Sequence, residues 1–164
     1  MDVEEKIYKK AMPRLSYVSE AVAVYRPAGL LDILKPYLQY FKSPAAKHKA
    51  IKKGLDAQAL STLIELTGAT QSDIAHILDL TEPTLRKYIK SGKELNTGLS
   101  EHILQLFELF DKGMDTFDSL PEFKNWLKAY NIGIDAKPIE LLDTITGINI
   151  IISELIRIDY GVLA

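Results

Sequence analysis

Apolar residues recur along the chain at the spacing of amphipathic helices. In successive segments they occupy positions three and four apart, and most segments are bounded by residues that typically begin or end helices. The sequence lacks alternating runs rich in Val, Ile and Thr, and it lacks the Asn-Gly and Asp-Gly pairs of tight hairpins. The pattern therefore predicts an all-α fold.

The predicted helix boundaries come from prolines, capping residues and glycines. Pro36 should start or kink the first helix. The apolar stripe of that helix consists of Leu30, Leu31, Leu34, Leu38 and Phe41. Ser43 places a capping side chain before a proline, and Gly54 stops the helix that follows. Further helices are predicted over residues 56–68, 70–78, 81–91 and 98–112, after residues 119–122, after Pro138, and over residues 147–160.

Residues 71–90 have the spacing of two helices packed around a tight turn. Ala75 is small where the second helix must cross the first, and Leu80 enters the turn as an apolar plug. The second helix carries an apolar stripe for burial against the first, formed by Leu85, Tyr88 and Ile89. This spacing resembles the Xre-type helix-turn-helix, with Gln71 at the start of the first helix.

The turn position that the Xre-type motif usually fills with glycine is Asp79 in this chain. Aspartate adopts the left-handed backbone conformation more readily than most residues, because its short polar side chain can hydrogen-bond locally. The motif is therefore expected to form despite the departure.

The exposed face of the second helix is the predicted DNA-binding surface. In this motif the N-terminal part of that helix enters the major groove. Arg86 and Lys87 are placed to reach base edges or phosphates, whereas Gln71 and Lys90 are placed to hold the DNA backbone. The helix N-terminus is itself an anion site. The candidate DNA-binding residues are Gln71, Thr81, Thr84, Arg86, Lys87 and Lys90.

A helix-turn-helix that serves only dimerisation and scaffolding is the alternative. Glu82 would lie near phosphates, and residues 61–115 hold five Lys or Arg against nine Asp or Glu. The whole chain has a formal net charge of −2, which argues against non-specific affinity for nucleic acid. Residues 1–60 are different, with eleven basic residues against six acidic ones, and they can supply a basic arm.

Composition and motifs argue against an enzyme. The absence of cysteine excludes disulfides, Cys-ligated metals and thiol catalysis. His48, His76 and His102 do not have the spacing of metal ligands. The sequence contains no glycine-rich phosphate loop, dinucleotide fingerprint or nucleophile elbow. No catalytic residue, metal, cofactor or small-molecule substrate is expected.

The last forty-odd residues place a tryptophan, a proline-started segment and a terminal apolar helix in a fixed order. Trp126 comes first, Pro138 opens the segment Pro-Ile-Glu-Leu-Leu-Asp-Thr, and residues 155–162 end in Tyr-Gly-Val. This order resembles the toxin-binding domain of the Xre/MbcA/ParS antitoxins, which act in bacterial pairs with RES-type toxins. The paired glycines that precede the proline in that family are represented here by Gly133 alone.

The resemblance implies which residues shape the domain. Trp126 is expected to be a core anchor that packs one helix on the next, rather than a toxin contact. The full set of expected structural residues is Phe123, Trp126, Gly133, Pro138, Leu141, Leu142 and Gly147. Ile148, Ile150 and Ile152 make the last helix apolar on more than one side, so part of its surface should meet a partner.

The resemblance also implies that the last residues lie against or inside the active-site cleft of the toxin. Residues 160–164 are therefore the expected inhibitory element, with Arg157 and Asp159 as candidate polar anchors. The candidate toxin-binding residues are Arg157, Ile158, Asp159, Tyr160, Gly161, Val162, Leu163 and Ala164. RES toxins are implied by the resemblance to consume NAD or to use it as an ADP-ribosyl donor.

The predicted protein is a homodimeric antitoxin that binds a RES-type toxin and represses its own operon by binding operator DNA. Residues 1–53 would form a helical N-terminal extension, residues 54–113 the helix-turn-helix domain, and residues 114–164 the toxin-binding domain. The alternative function is a stand-alone dimeric helix-turn-helix transcriptional regulator, whose C-terminal module only dimerises.

A cytoplasmic location is expected from the N-terminal part of the sequence. Residues 1–10 are rich in charge and have no apolar core of the kind a signal peptide needs. The longest unbroken apolar run, residues 21–25, is too short to span a membrane.

Overall fold

The computed structural model describes residues 32–161, and the regular elements in this part of the chain are helices. They are α1 (Leu38–Lys42), α2 (Pro44–Lys53), α3 (Gln58–Thr67), α4 (Gln71–Ile77), α5 (Glu82–Ser91), α6 (Thr97–Phe117), α7 (Leu120–Lys128), a 3₁₀ helix (Pro138–Leu141) and α8 (Ile145–Asp159). Within residues 32–161, β-type pairing is limited to one isolated bridge between Asn131 and Ala136. The all-α prediction is confirmed.

The first predicted helix is interrupted at its proline. Residues 32–34 are helical, Pro36 lies in a turn, and α1 begins two residues later at Leu38. Leu30 and Leu31 of the predicted stripe lie outside the described residues. So does most of the proposed N-terminal extension.

Capping side chains and glycine set the bounds of α2. The Ser43 side chain accepts a hydrogen bond from the Ala46 amide, and the helix ends at Gly54, whose φ is +92°. A Cβ at Gly54 would also collide with the backbone carbonyl of Leu95, so both the conformation and the close approach favour glycine. These bounds agree with the prediction.

A capping box starts α4. The Thr70 hydroxyl accepts from the Asp73 amide at 3.1 Å, and the Asp73 carboxylate accepts from the Thr70 amide at 3.1 Å. Helix α5 begins after Thr81, whose hydroxyl accepts from the Thr84 amide, and ends at Gly92 in the left-handed conformation. Both helices of the helix-turn-helix therefore begin at the predicted caps.

Two helix ends differ from the prediction. Helix α3 begins at Gln58, because the Asp56 carboxylate accepts from the Gln58 amide in a turn that precedes the helix. Helix α6 continues to Phe117 instead of stopping near Lys112. Gly113 is buried inside the helix.

The segment after Pro138 is a four-residue 3₁₀ helix rather than an α-helix. The next helix begins almost at once, because the Thr144 hydroxyl accepts from the Gly147 amide at 3.0 Å and caps α8. This leaves too few residues for a stable α-helical turn between them.

One hydrophobic core runs along α6. The apolar side of this helix is buried and includes Leu99, Ile103, Leu106, Phe107 and Phe110. Helices α2, α3, α7 and α8 all pack on α6. The predicted boundary between residues 113 and 114 lies inside this helix, so we propose that the two segments are units of function that share one core.

Helix α8 runs parallel to α6, which fixes the position of its C-terminal end. Gln105 donates to the side-chain oxygen of Asn149 at 2.7 Å near the start of α8. Lys112 pairs with Asp159 at its end. None of the helices in residues 32–161 has the length and hydropathy that a membrane span requires.

Candidate interaction surfaces

The helix-turn-helix has the predicted internal packing. Ala75 and Leu85 are buried where α4 and α5 meet, and the Leu80 amide donates to the Ala75 carbonyl at 2.8 Å across the turn. Asp79 has a φ of +52°, the left-handed conformation expected at this position. The turn therefore forms with aspartate in place of glycine.

Arg86 is held by hydrogen bonds to two side chains. Its Nε donates to the Gln71 side-chain oxygen at 3.2 Å, and its Nη2 donates to the Glu82 carboxylate at 2.8 Å. These bonds use two of the five N–H groups of the guanidinium, so its other N–H groups can donate to another acceptor. Two of the candidate DNA-binding residues, Gln71 and Arg86, are thus brought together on adjacent helices.

Two threonines at the start of α5 form hydrogen bonds with each other. The Thr81 hydroxyl accepts from the Thr84 amide at 3.3 Å and lies 2.8 Å from the Thr84 hydroxyl. Pro83 has no N–H, so the first turn offers fewer amides to a phosphate than an ordinary helix N-terminus does. Lys87 and Lys90 are exposed on the same helix. These four positions remain candidate DNA contacts.

An aromatic cluster forms the core of the C-terminal module. Phe123 is buried, and its ring lies 5.3 Å from that of Phe110 and 6.1 Å from that of Trp126. The Trp126 ring also lies 5.6 Å from that of Phe117. Trp126 therefore packs α7 against α6, as expected for a core anchor.

Gly113 lets α7 approach α6 closely, and sequence reasoning missed it. A Cβ at Gly113 would collide with the Phe123 ring. Its φ is not in the left-handed region, so backbone conformation does not require glycine here. Only the packing of the two helices reveals its role.

The proline-started segment is fastened to both long helices of the module. Pro138 and Leu142 are buried, and Leu141 is half-buried. A Cβ at Gly147 would collide with the Leu141 carbonyl, so the first turn of α8 packs directly on this backbone. His102 of α6 makes a 2.8 Å hydrogen bond to the Leu142 carbonyl, a contact that the sequence did not suggest.

The turn formed by residues 130–136, called here the Ile132 turn, is tightly hydrogen-bonded. Asn131 and Ala136 exchange backbone hydrogen bonds, and the Ile134 amide donates to the Asn131 side chain at 3.0 Å. The Tyr130 hydroxyl donates to the Asp135 carboxylate, which raises the pKa of the Tyr130 phenol. The turn therefore has a defined shape.

A shallow groove of about 390 Å³ separates the Ile132 turn from α8. It is lined by Gly133, Ile134, Thr146, Asn149, Ile150, Ser153, Glu154 and Arg157. The Arg157 guanidinium donates to the Glu154 carboxylate at 2.8 Å, so these two charged residues of the groove form an ion pair. A Cβ at Gly133 would collide with the Glu154 carboxylate, so glycine at this position leaves room for the Glu154 side chain.

The C-terminal end of α8 is held against α6, and Tyr160, which follows it, is exposed. The Lys112–Asp159 ion pair ties the end of α8 to α6. Tyr160 is 79% exposed, and Gly161 has a φ of +64°. Of the remaining candidate toxin-binding residues, Ile158 is exposed, whereas Val162, Leu163 and Ala164 lie outside the described residues.

Exposed large apolar side chains are concentrated in this module. Within residues 32–161 they are Tyr130, Ile132, Ile139, Ile150, Ile156, Ile158 and Tyr160. All of them lie in the last 35 residues of the sequence, whereas the helix-turn-helix exposes none. Residues 32–161 contain no group of three or more His, Asp or Glu side chains arranged to hold a metal ion.

Comparison with known proteins assigns both halves of the described chain. Residues 46–108 match the antitoxin Xre-like helix-turn-helix domain, and residues 112–161 match the antitoxin Xre/MbcA/ParS C-terminal toxin-binding domain. A protein of Sphingobium sp. (strain YBL2) named "Prs ADP-ribosylating antitoxin" is 28% identical over 135 residues. That similarity covers 76% of this chain and 85% of the Sphingobium protein.

Proposed function

We propose that this chain, which belongs to the Xre/MbcA/ParS family of antitoxins, neutralises a RES-type toxin by occluding the toxin's active site. The proposal is supported by the position of the exposed apolar side chains. The segment that matches the toxin-binding domain is the same segment that holds every exposed large apolar side chain of residues 32–161. Exposed apolar side chains concentrated in one module are expected of a surface that binds another protein.

The inhibitory element is the segment of residues 160–164. The Lys112–Asp159 pair holds the end of α8, just before this segment, against α6. Tyr160 begins the segment and is well exposed. A short apolar segment on a fixed support can enter a cleft without ordering a long loop, which lowers the entropic cost of binding.

The toxin's chemistry is the transfer or hydrolysis of the ADP-ribosyl group of NAD. The Sphingobium relative is named an ADP-ribosylating antitoxin, and this association with ADP-ribosylation supports a toxin of this chemical class for the present chain. The antitoxin supplies no catalytic group of its own on this proposal. It acts in the cytoplasm, where NAD is consumed, and it needs neither cofactor nor small-molecule substrate.

Repression of its own operon is the second part of the proposed function. The matched helix-turn-helix presents Arg86, Lys87 and Lys90 on its second helix. A homodimer formed through the helical body would place two such helices on a palindromic operator. Binding would weaken steeply with salt, since much of the affinity would come from phosphate contacts.

The proposal is tested by expressing the product of the adjacent reading frame inducibly, with and without this chain, while growth and cellular NAD are followed. The proposed function predicts growth arrest and NAD loss from the adjacent product alone, and recovery of both with this chain. A chain carrying Arg86→Ala is the matched control, because it impairs DNA binding and should still rescue growth. Toxicity that this chain cannot relieve would favour a stand-alone dimeric transcriptional regulator.

A further inference from the structure

Ile132 lies in the Ile132 turn and is 88% exposed, more than any other large apolar side chain of residues 32–161. We infer that this turn is a second toxin-binding element, which supplies affinity through Ile132 while residues 160–164 block the toxin's active site. The inference rests on the proposed function and specifies how the toxin-binding domain divides its work.

The turn is preorganised for this role. The paired backbone hydrogen bonds of Asn131 and Ala136 close it, and the Asn131 side chain holds the Ile134 amide inside it. Asp135 adopts a φ of +58° and accepts from Tyr130. Ile134 packs against the core and fixes the turn to the domain. A partner that binds such a turn has little conformational entropy to remove.

An isoleucine is an unusual choice for this position unless something covers it. Exposed turns are commonly built from Gly, Pro, Asn, Asp and Ser, which serve turn geometry or interact with water. The backbone carbonyl of Ile132 accepts from the Asp135 amide at 3.3 Å, and the other bonds that close the turn come from Asn131 and Ala136, so no hydrogen bond of the turn depends on the Ile132 side chain. Its side chain therefore contributes nothing to the fold that a polar residue could not replace.

The surface beside the turn is suited to burial. Gly133 and Ile134 of the turn line the groove together with Ile150 of α8, which is also exposed. The charged groups at this surface already have partners, since Glu154 is paired with Arg157 and Asp135 accepts from Tyr130. Covering the groove would therefore not leave these carboxylates unpaired, which is the main cost of burying charge.

The occupant is the toxin because the turn lies in the middle of the residues that match the toxin-binding domain. The toxin surface should carry an apolar pocket that accepts a branched aliphatic side chain, with few charges at its centre. A second copy of this chain is the other conceivable occupant, and the experiment separates the two.

The test uses the purified product of the adjacent reading frame as the probe and compares Ile132→Ser with Ile156→Ser. Ile156 is the comparison residue because it is also an exposed isoleucine of the same module, 41% exposed, but lies on α8 outside the Ile132 turn. Ile132→Ser should raise the Kd for the probe by about tenfold to a hundredfold, as truncation of an interface anchor does. Ile156→Ser removes a less exposed apolar side chain of the same module and should raise the Kd by clearly less, and both variants should unfold at the wild-type temperature.

A chain ending at Asp159 completes the design. It should retain most of the affinity for the probe and lose protection of NAD, whereas Ile132→Ser should lose affinity first. Wild-type affinity in Ile132→Ser, or equal losses in both isoleucine variants, would overturn the inference and leave the proposed function standing. A change from dimer to monomer in Ile132→Ser, measured by light scattering, would overturn it in favour of a second copy. No binding by the full chain would overturn both.

Discussion

The Nε of Arg86 on α5 donates a hydrogen bond to the side-chain oxygen of Gln71 on α4, 3.2 Å away. This contact joins the first residue of one helix to the middle of the next, across the helix-turn-helix. A second bond from Arg86 to Glu82 fixes the guanidinium plane further. Arginine in a fixed orientation can recognise guanine with two parallel hydrogen bonds, so the arrangement suits base reading better than loose phosphate contact.

Replacement of Arg86 by alanine should weaken binding to the DNA upstream of this chain's own gene. The expected loss is about 1–3 kcal/mol of binding free energy, because a paired base contact disappears. Fluorescence anisotropy at fixed salt measures it. Lys93→Ala is the matched control, since Lys93 is exposed and lies between α5 and α6. Equal DNA affinities of the Arg86→Ala and Lys93→Ala variants would show that Arg86 does not contact the DNA.

Replacement of Glu82 by glutamine should reduce sequence discrimination rather than affinity. The substitution removes a negative charge near the phosphates and loosens the orientation of Arg86. Affinity for scrambled DNA should therefore rise more than affinity for the operator. Titrations of both DNAs at one salt concentration give the ratio. An unchanged ratio would mean that Glu82 does not position Arg86.

Gly113→Ala should destabilise the fold, because the added methyl group would collide with the Phe123 ring in the buried contact between α6 and α7. The expected loss is about 1–3 kcal/mol in the free energy of unfolding, as for other overpacked cores. Urea denaturation measures it. Gly98→Ala is the matched control in the same helix, since its nearest neighbour would be the Asn96 side chain at 3.5 Å, and it should cost nothing. Comparable losses in both variants would exclude the collision as the cause.

Acid should remove the contribution of the capping box to stability. The hydrogen bonds from the side chain and backbone of Thr70 hold the pKa of Asp73 below its usual value. A depressed pKa in the folded state stabilises the protein above the unfolded-state pKa of about 3.9, and this contribution is lost as the pH falls through the folded-state pKa. Asp73→Asn should therefore be less stable than wild type at pH 7, and the difference should shrink at acidic pH. A difference in urea midpoint that stays constant down to pH 3 would contradict this.

Local chemistry explains why much of the fold could be predicted from the sequence. The hydroxyls of Thr70 and Ser43 mark helix starts. Each accepts a hydrogen bond from the backbone amide three residues later, that of Asp73 or of Ala46. Asp79 could be assigned to a left-handed turn because few other residue types adopt that conformation. The all-α fold and the helix-turn-helix follow from such short-range signals.

Contacts between residues distant in the chain could not be predicted in this way. The close approach at Gly113 depends on a helix that begins seven residues later. The bond from His102 to the Leu142 carbonyl joins residues 40 apart in sequence. The exposure of Ile132 likewise depends on how residues 130–136 fold back on the domain. These features belong to the segment that matches the toxin-binding domain or to its contact with α6, and only the packed structure shows them.

The most direct test of the account is inhibition by a chain ending at Asp159. Purified full-length chain and the shortened chain are each added to the product of the adjacent reading frame, and NAD consumption is measured. The full chain should abolish consumption, whereas the shortened chain should leave it unchanged while unfolding at the same temperature. Full inhibition by the shortened chain would contradict the assignment of residues 160–164 as the inhibitory element.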